Sequence, residues 1–438
     1  MSKDASQVLI MHLTQHVGKL VRLRGWLRNK RSGKSVHFLI LRDGTGEVQC
    51  VVSGDDLPAE TMDLCDSLGI ESSLEIVGTV REDARSPGGH EIAVREVVPL
   101  QVVTDYPIAK KEHGIEFLME HRHLWLRSSK QVAILQIRDE LQKAWGDFFY
   151  ERGFARVDAP IFTPAACEGT TTLFPVDYHG DTAYLTQSGQ LYNEATIFAL
   201  GRVYCFGPTF RAEKSKTRRH LLEFWMLEME AAFFEHEDSL RLQEELVISS
   251  IAQILQKCAR ELAALERESG KLERVAAPFP RLHYRDAVEM INQLMPDRAE
   301  AFRYGDDFGA PEETFLSKRF EQPVFVTNFP VGTKAFYMKP DPKEPDTVLA
   351  ADLLAPEGYG EIVGGSQRED DLAALEQRVR EHDLPEEAFR WYFDLRRYGS
   401  VPHSGFGMGL ERMLTWLCGL THIREAIPFP RMLHHLYP

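Results

Sequence analysis

The 438-residue sequence predicts an α+β protein of two parts: a small closed β-barrel, then a larger domain built on an antiparallel sheet flanked by helices. Three observations carry that expectation. Residues 19–103 read as five short strands separated by turn residues. Further on, strands come in runs, with few helices alternating between them, which argues against a doubly wound parallel sheet. Hydrophobic residues make up 43% of the chain, enough to fill the cores of the two or three domains its length implies.

The barrel strands are VRLRGWL, VHFLILRD, EVQCVV, LEIVGTV and IAVREVVPL, each alternating or apolar. Ser32-Gly33, Asp43-Gly44 and Pro87-Gly88-Gly89 supply the turns, and PAETMDLCDSL near 58–68 reads as a helix. Five strands with such a helix suit a barrel of the OB type over residues 1–103. The charged stretch 104–128 has no periodicity and is expected to be a hinge, with the second domain over 129–438. That domain opens on a helix from Gln131 to Tyr150. There Ile134, Ile137, Leu141, Trp145 and Phe148 recur every three to four residues behind Ser128 and Ser129 as caps. Gly153 ends it, and FARVDAPIF reads as a strand. A second amphipathic helix is expected over 238–268, with Val247, Ile251, Ile254, Cys258 and Leu262 on one side. Strands are expected at 183–186, 202–211, 223–234, 323–328, 334–339 and 361–366, and a closing helix at 409–418 before Gly419.

Composition narrows the function. No run of about 18 apolar residues occurs, so no membrane span is expected. The N-terminus lacks a secretory pattern. Cysteines 50, 65, 167, 205, 258 and 418 form no C-x-x-C pair, so neither zinc nor disulfides are indicated and a cytoplasmic location is expected. The net charge of −15 argues against nucleic acid until its distribution is considered. Residues 1–50 hold nine Lys or Arg against three acids, leaving a basic N-terminal face for phosphates.

Two tempting motifs fail. RSGKS at 31–35 ends like a phosphate loop, but Arg28 stands where the first glycine is required. Gly405-Phe-Gly407-Met-Gly409 has no βαβ unit around it to make a dinucleotide fingerprint.

Three segments carry the chemistry together. The first, Gly153 to Pro160, is a helix running into a strand with a proline. In the second, GPTFRAEKSKTRRHLLEFWMLEME (207–230), a strand ends in Arg211 and Glu213. A basic loop with Lys214, Lys216, Arg218, Arg219 and His220 follows, and a return strand brings Phe224. Arginine can fork onto phosphate, an aromatic face can stack on adenine and basic loop residues can meet the triphosphate, so this is what an ATP site without a phosphate loop would need. The third, GFGMGLERMLTWLCG (405–419), places Arg412 near the start of a helix behind glycines that permit close backbone approach.

In this order the three segments resemble the signature motifs of the class II aminoacyl-tRNA synthetases, over essentially the whole chain. A barrel ahead of the catalytic domain is similar to the aspartyl, asparaginyl and lysyl subgroup, whose barrel reads the anticodon. The resemblance assigns anticodon contacts to Phe38 and Gln49, with Arg28 beside them, and implies a homodimer formed through Pro160 and the preceding helix. Aspartyl members carry Gln-Ser-Pro-Gln-Leu-x-Lys, whose lysine pairs with the substrate carboxylate; this chain has Gln187-Ser188-Gly189-Gln190-Leu191-Tyr192-Asn193. A carboxylate site should keep its cation, so the loss suits a neutral amide. HSGFG at 403–407 and FYMKP at 336–340 are also similar to the asparaginyl branch.

The implied activity is ATP-dependent ligation of asparagine to tRNA(Asn) through an asparaginyl-adenylate, with Mg²⁺. Arg211 and Arg412 would be catalytic, and these two with Glu213, His220 and Phe224 would bind ATP. Glu168, Ser188, Gln190, Asn193, Glu228 and Arg368 would bind the amino acid, with Arg368 on the side-chain oxygen and Glu228 accepting from the amide. Asp352 and Glu361 would hold the metal, and the loop 167–175 would act as a lid. An aspartyl enzyme, discriminating or non-discriminating, a non-catalytic tRNA-binding paralogue, and a paralogue using the adenylate without tRNA stand as the alternatives.

Overall fold

A computed structural model describes residues 5–108, 111–164, 173–215, 217–295 and 300–438. The chain divides into two compact units, 1–118 and 119–438.

The first unit is a closed barrel of five strands: β1 (Leu20–Ser32), β2 (Val36–Arg42), β3 (Glu47–Ser53), β4 (Ser73–Glu82) and β5 (His90–Gln101). The order is β1-β2-β3-β5-β4, and β1 also pairs with β4 to close it. Only β3 with β5 is parallel. Period-two alternation decides which residues fill it: on β2, His37, Leu39 and Leu41 are buried while Phe38 and Ile40 face outward. α1 (Ala59–Ser67) adds Cys65 to the core.

The 104–128 stretch, read as an irregular hinge, contains two short helices, α2 (Ile115–Glu120) and α3 (Arg122–Trp125). Arg122 is fully buried in the second unit. It donates to the carbonyls of Ile427 and Pro428, both at 2.8 Å, and lies over the Trp125 ring. The arginine ties down the C-terminal chain.

The long helix α4 (Ser129–Glu151) is capped by the Ser128 hydroxyl and buries the five apolar residues its spacing marked. It packs on α6 (His236–Lys257), which follows α5 (Gln190–Leu200) in the chain. The expected helix over 238–268 breaks at Cys258 (φ −116°, ψ 28°) and resumes as α7 (Ala259–Ala264), so that Cys258 and Leu262 both turn into the core.

The central sheet has eight strands: β6 (Ala155–Arg156), β7 (Arg202–Phe210), β8 (Glu223–Ala232), β9 (Arg281–His283), β10 (Val324–Thr327), β11 (Ala350–Ala355), β12 (Gly360–Gln367) and β13 (His403–Gly409). Their order is β9-β10-β11-β12-β13-β8-β7-β6, antiparallel except for the two edge pairs β9–β10 and β7–β6. The expected strand at 334–339 is a turn. Phe336 and Tyr337 are both buried, which a strand would prevent by pointing them to opposite faces. FARVDAPIF forms strand only at its ends, since Pro160 has no N–H to give a ladder. Helices α8 (Tyr284–Leu294), α9 (Ala310–Ser317), α10 (Leu372–Glu381), α11 (Glu386–Arg397) and α12 (Leu410–Leu417) complete the unit. No helix among the described residues is long and apolar enough to cross a membrane.

Candidate active site

The middle strands of the sheet carry two adjoining sites. The first is a cavity of about 360 Å³. Its lining includes Arg211 and Glu213 beyond β7, His220 in the following loop, Phe224 and Met226 on β8, Glu361 on β12, and Arg412 on α12. All five residues read as ATP ligands therefore converge. Antiparallel pairing of β7 with β8 explains part of this, because it returns Phe224 to the level of Thr209 beside Arg211. The Arg211 guanidinium sits 5.5 Å from the centre of the Phe224 ring, and Arg412 donates to the Glu361 carbonyl at 3.1 Å. His220 meets the hydroxyls of Ser215 and Thr217. Burial and the nearby Arg412 charge hold its imidazole below the usual range, favouring a neutral ring.

Of the loop cations read as phosphate contacts, Arg219 is turned inward. It pairs with Glu313 at 3.2 Å and donates to Thr314 and the Gly358 carbonyl, so it braces α9 against the end of the sheet.

Asp352 and Glu361 converge over Gly364: a Cβ there would lie 3.1 Å from a Glu361 oxygen and 3.6 Å from an Asp352 oxygen. Burial pushes the Asp352 carboxyl up to about 7, against the pull of Lys334, whose Nζ lies 2.6 Å away. Lys334 was not singled out from sequence. Among the described residues no three His, Cys, Asp or Glu form a metal cage. Two hard carboxylates, one of them on the wall of the nucleotide-sized cavity, nevertheless fit a magnesium ion, which takes few protein ligands and completes its shell with water and phosphate.

The second site is a cluster of buried polar side chains. Glu228 and Glu230 alternate on β8, so both carboxylates project from one face, opposite Gly407 and Gly405 of β13. Glycine is compelled at 405, where a Cβ would lie 2.0 Å from a Glu230 oxygen. Glu228 accepts from the Ser188 hydroxyl and from the Gly189 N–H, the latter at 2.7 Å. A Cβ at Gly189 would press on Cys205 Sγ at 2.7 Å and Ala159 Cβ at 2.9 Å, so the position demands glycine. Proline there would also remove the donor to Glu228.

Arg368 is 3% exposed. It donates through Nε to both Glu230 oxygens at 3.2 Å, through Nη2 to Glu230, and through Nη1 to Ser366 at 2.8 Å. Asn193 is fully buried, its amide donating to the Glu228 carbonyl at 3.2 Å and Cys205 Sγ at 3.3 Å. Its side chain is thus committed to the wall behind Glu228. Gln190 donates to Glu194 at 3.0 Å.

The structure brings together Ser188, Gln190, Asn193, Glu228 and Arg368; Glu168 and most of the expected lid lie outside the described residues. The sequence reading missed Glu230, Glu194, Arg396 and His403. The Glu228-Met-Glu230 alternation was a visible signal for the first. On the barrel, Arg31 bridges two expected anticodon residues, standing over the Phe38 ring at 5.4 Å and donating to Gln49 at 3.2 Å. Arg28 lies 3.8 Å from Glu47.

A nucleotide-sized cavity that presents Arg211, Arg412 and Phe224 without a phosphate loop, joined on one antiparallel sheet to a buried cluster of polar side chains, defines an adenylate-forming enzyme of the class II synthetase type. The family model described as "tRNA synthetases class II (D, K and N)" matches residues 114–433, and that for an OB-fold nucleic acid binding domain matches 21–100. The asparagine–tRNA ligase of Pelotomaculum thermopropionicum is 60% identical over 432 residues, covering 99% of this chain and 100% of that one. The crystal structure of asparaginyl-tRNA synthetase from Pyrococcus horikoshii complexed with asparaginyl-adenylate superposes with a TM-score of 0.94 at 42% identity, covering 99% and 100% of the two chains. The Entamoeba histolytica asparaginyl-tRNA synthetase in complex with asparaginyl-adenylate gives 0.91 at 33% identity, covering 99% of each. The chain belongs to the class II tRNA synthetases of the aspartate, lysine and asparagine group, in the asparaginyl branch.

Proposed function

We propose that the chain activates asparagine with ATP and transfers it to tRNA(Asn), and that it does so with the residues gathered on its central sheet. The observation that carries the asparagine reading is the Glu228 carboxylate, locked by Ser188 and the Gly189 N–H in a pocket where Asn193 takes the place of a cation. Arg368 donates to the side-chain oxygen of the substrate and Glu228 accepts from its NH₂, an arrangement that a second carboxylate cannot satisfy.

Phe224 stacks on adenine, with Glu213 at its amino edge. Arg211 holds the α-phosphate, and His220 and Arg412 hold the γ-phosphate. The asparagine carboxylate attacks the α-phosphorus, a bond forms to its oxygen, and pyrophosphate leaves. Arg211 stabilises charge developing on the phosphoryl oxygens, so catalysis is positioning and electrostatics with no protein nucleophile. The 3′-hydroxyl of the tRNA's terminal adenosine then attacks the activated carbonyl and releases AMP. Asp352 and Glu361 would hold Mg²⁺, which when bound supplies charge neutralisation to the phosphates. The barrel reads the anticodon through Phe38, Gln49 and Arg28, with Arg31 orienting the first two.

A homodimer through the edge carrying α4 and Pro160 is supported by Phe162 and Tyr178, about half exposed there with rings 5.8 Å apart. A reducing, cytoplasmic setting is supported by Cys50, Cys65, Cys205, Cys258 and Cys418, all free and buried.

Amino-acid-dependent ATP–pyrophosphate exchange with Mg²⁺ tests the reading. Exchange is expected with asparagine and not with aspartate; exchange with aspartate alone would sink the asparagine assignment. For the barrel, Phe38→Ala is expected to weaken tRNA binding by about 1–3 kcal/mol, the worth of one stacked base, while leaving exchange unchanged. Filter binding at fixed salt measures the first quantity, and tRNA affinity equal to wild type would remove Phe38 from the interface.

A further inference from the structure

Behind the Glu228–Arg368 cluster lies a second layer of buried charge. Glu194, on α5, is fully buried and accepts from the Tyr392 hydroxyl at 2.6 Å and Arg396 Nη2 at 2.8 Å, with His403 Nε2 at 3.0 Å. Its other oxygen accepts from Gln190 at 3.0 Å. The layer is tied to the segment bearing Arg368: Arg396 donates to the Glu369 carbonyl at 2.8 Å, and the Arg368 N–H bonds to the His403 carbonyl at 2.9 Å.

Three carboxylates, Glu194, Glu228 and Glu230, therefore share this buried region with two guanidinium groups, Arg368 and Arg396. Burial, Glu194 and Glu228 raise the Glu230 carboxyl against the pull of Arg368. At Glu194 burial is outweighed by Arg396, His403 and Arg368, which hold its carboxyl below the usual range, so Glu194 keeps its charge. Counted formally, the three carboxyl groups and two guanidinium groups leave one negative charge in excess. One more carboxylate must enter against that field, whereas an amide carries no charge into it.

We propose that Glu194 is a specificity-determining residue for amino-acid activation: fixed by Tyr392, Arg396 and His403 beside Arg368, its charge admits asparagine and refuses aspartate. It also holds Gln190 in place, and it acts through these neighbours without touching the substrate. The proposal rests on the reading that the Arg368 cluster receives the amino-acid side chain.

Kinetics of ATP–pyrophosphate exchange with each amino acid test it on the full-length chain. In E194Q the ratio of kcat/KM for asparagine to that for aspartate is expected to fall at least ~10-fold, as Coulomb's law gives for one unit charge removed within about 12 Å of the substrate carboxylate at an effective dielectric constant of about 20. The KM for ATP should not move. Y392F removes a hydrogen bond and keeps the charge, so its ratio should stay at the wild-type value. A residue that merely supported the fold would lower both activities together. An unchanged ratio in E194Q, or an equal fall in Y392F, would overturn the proposal. If E194Q does not fold, R396Q removes the opposing charge and keeps a donor to Glu194. Its ratio should rise, and a ratio at or below the wild-type value would overturn the proposal. Wild-type exchange with aspartate in place of asparagine would sink the underlying reading itself, and the wild-type protein alone reveals that.

Discussion

Replacing Arg211 by alanine is expected to lower asparagine-dependent ATP–pyrophosphate exchange by ~10²–10³-fold in kcat, the scale of losing one preorganised donor to developing charge. The side chain is well placed for that role. Its backbone N–H is anchored to the Leu222 carbonyl at 3.0 Å, and its guanidinium is stationed over Phe224 at the cavity wall. Arg211→Lys should recover little, because a lysine ammonium cannot fork across two oxygens. Thermal melting of both variants should match wild type, which separates loss of chemistry from loss of fold. A kcat for Arg211→Ala within ~10-fold of wild type would show that other groups carry the α-phosphate charge.

The largest effect on stability is expected at Arg138→Ala. Arg138, on α4, donates to Glu411 at 2.7 Å and to the Ala426 carbonyl at 2.9 Å. Glu411, 1% exposed at the start of α12, also accepts from the Trp225 N–H at 3.0 Å. One ion pair thus joins α4 to the last signature segment at the cavity wall. Removing the arginine leaves a buried, unpaired carboxylate, at a cost of roughly 3–5 kcal/mol. For a unit of this size the midpoint should fall by about 5–10 °C. The deficit should narrow as pH falls. An unpaired buried Glu411 has a folded pKa above its unfolded one, so the folded chain takes up the proton more readily and gains stability on acidification. Calorimetry across pH checks both statements, and a melting curve superimposable on wild type would deny Arg138 this role.

The barrel was legible because alternation over short strands is a local property. His37, Leu39 and Leu41 fill it and Phe38 does not, as period two requires. α4 was legible for the same reason at period 3.6. The fragment 334–339 was not, because two adjacent aromatics look like a strand until a facing surface exists to bury both. That surface comes from α10 and α11, whose Leu375, Phe389 and Tyr392 pack on Phe336 and Tyr337. The break at Cys258 likewise depends on the core that Cys258 and Leu262 join. Arg122 lies in the stretch read as a hinge and is fully buried, because its carbonyl partners come from 305 and 306 residues further along the chain.

By itself the sequence determined the barrel, the long helices and the cavity residues from Arg211 to Phe224. Those features arise from periodicity or from groups brought together by a single hairpin, so neighbours along the chain remain neighbours in space. It also determined what the pocket lacks, since a glycine and an asparagine where aspartyl enzymes carry proline and lysine can be read directly. Tertiary structure alone decided how Arg368 is held and what surrounds it. Its partner Glu230 is 138 residues away in sequence, and Glu194 and Arg396 meet across 202. Pairing between buried charges at such separations depends on which elements pack together and how far they exclude water, and no local pattern encodes either.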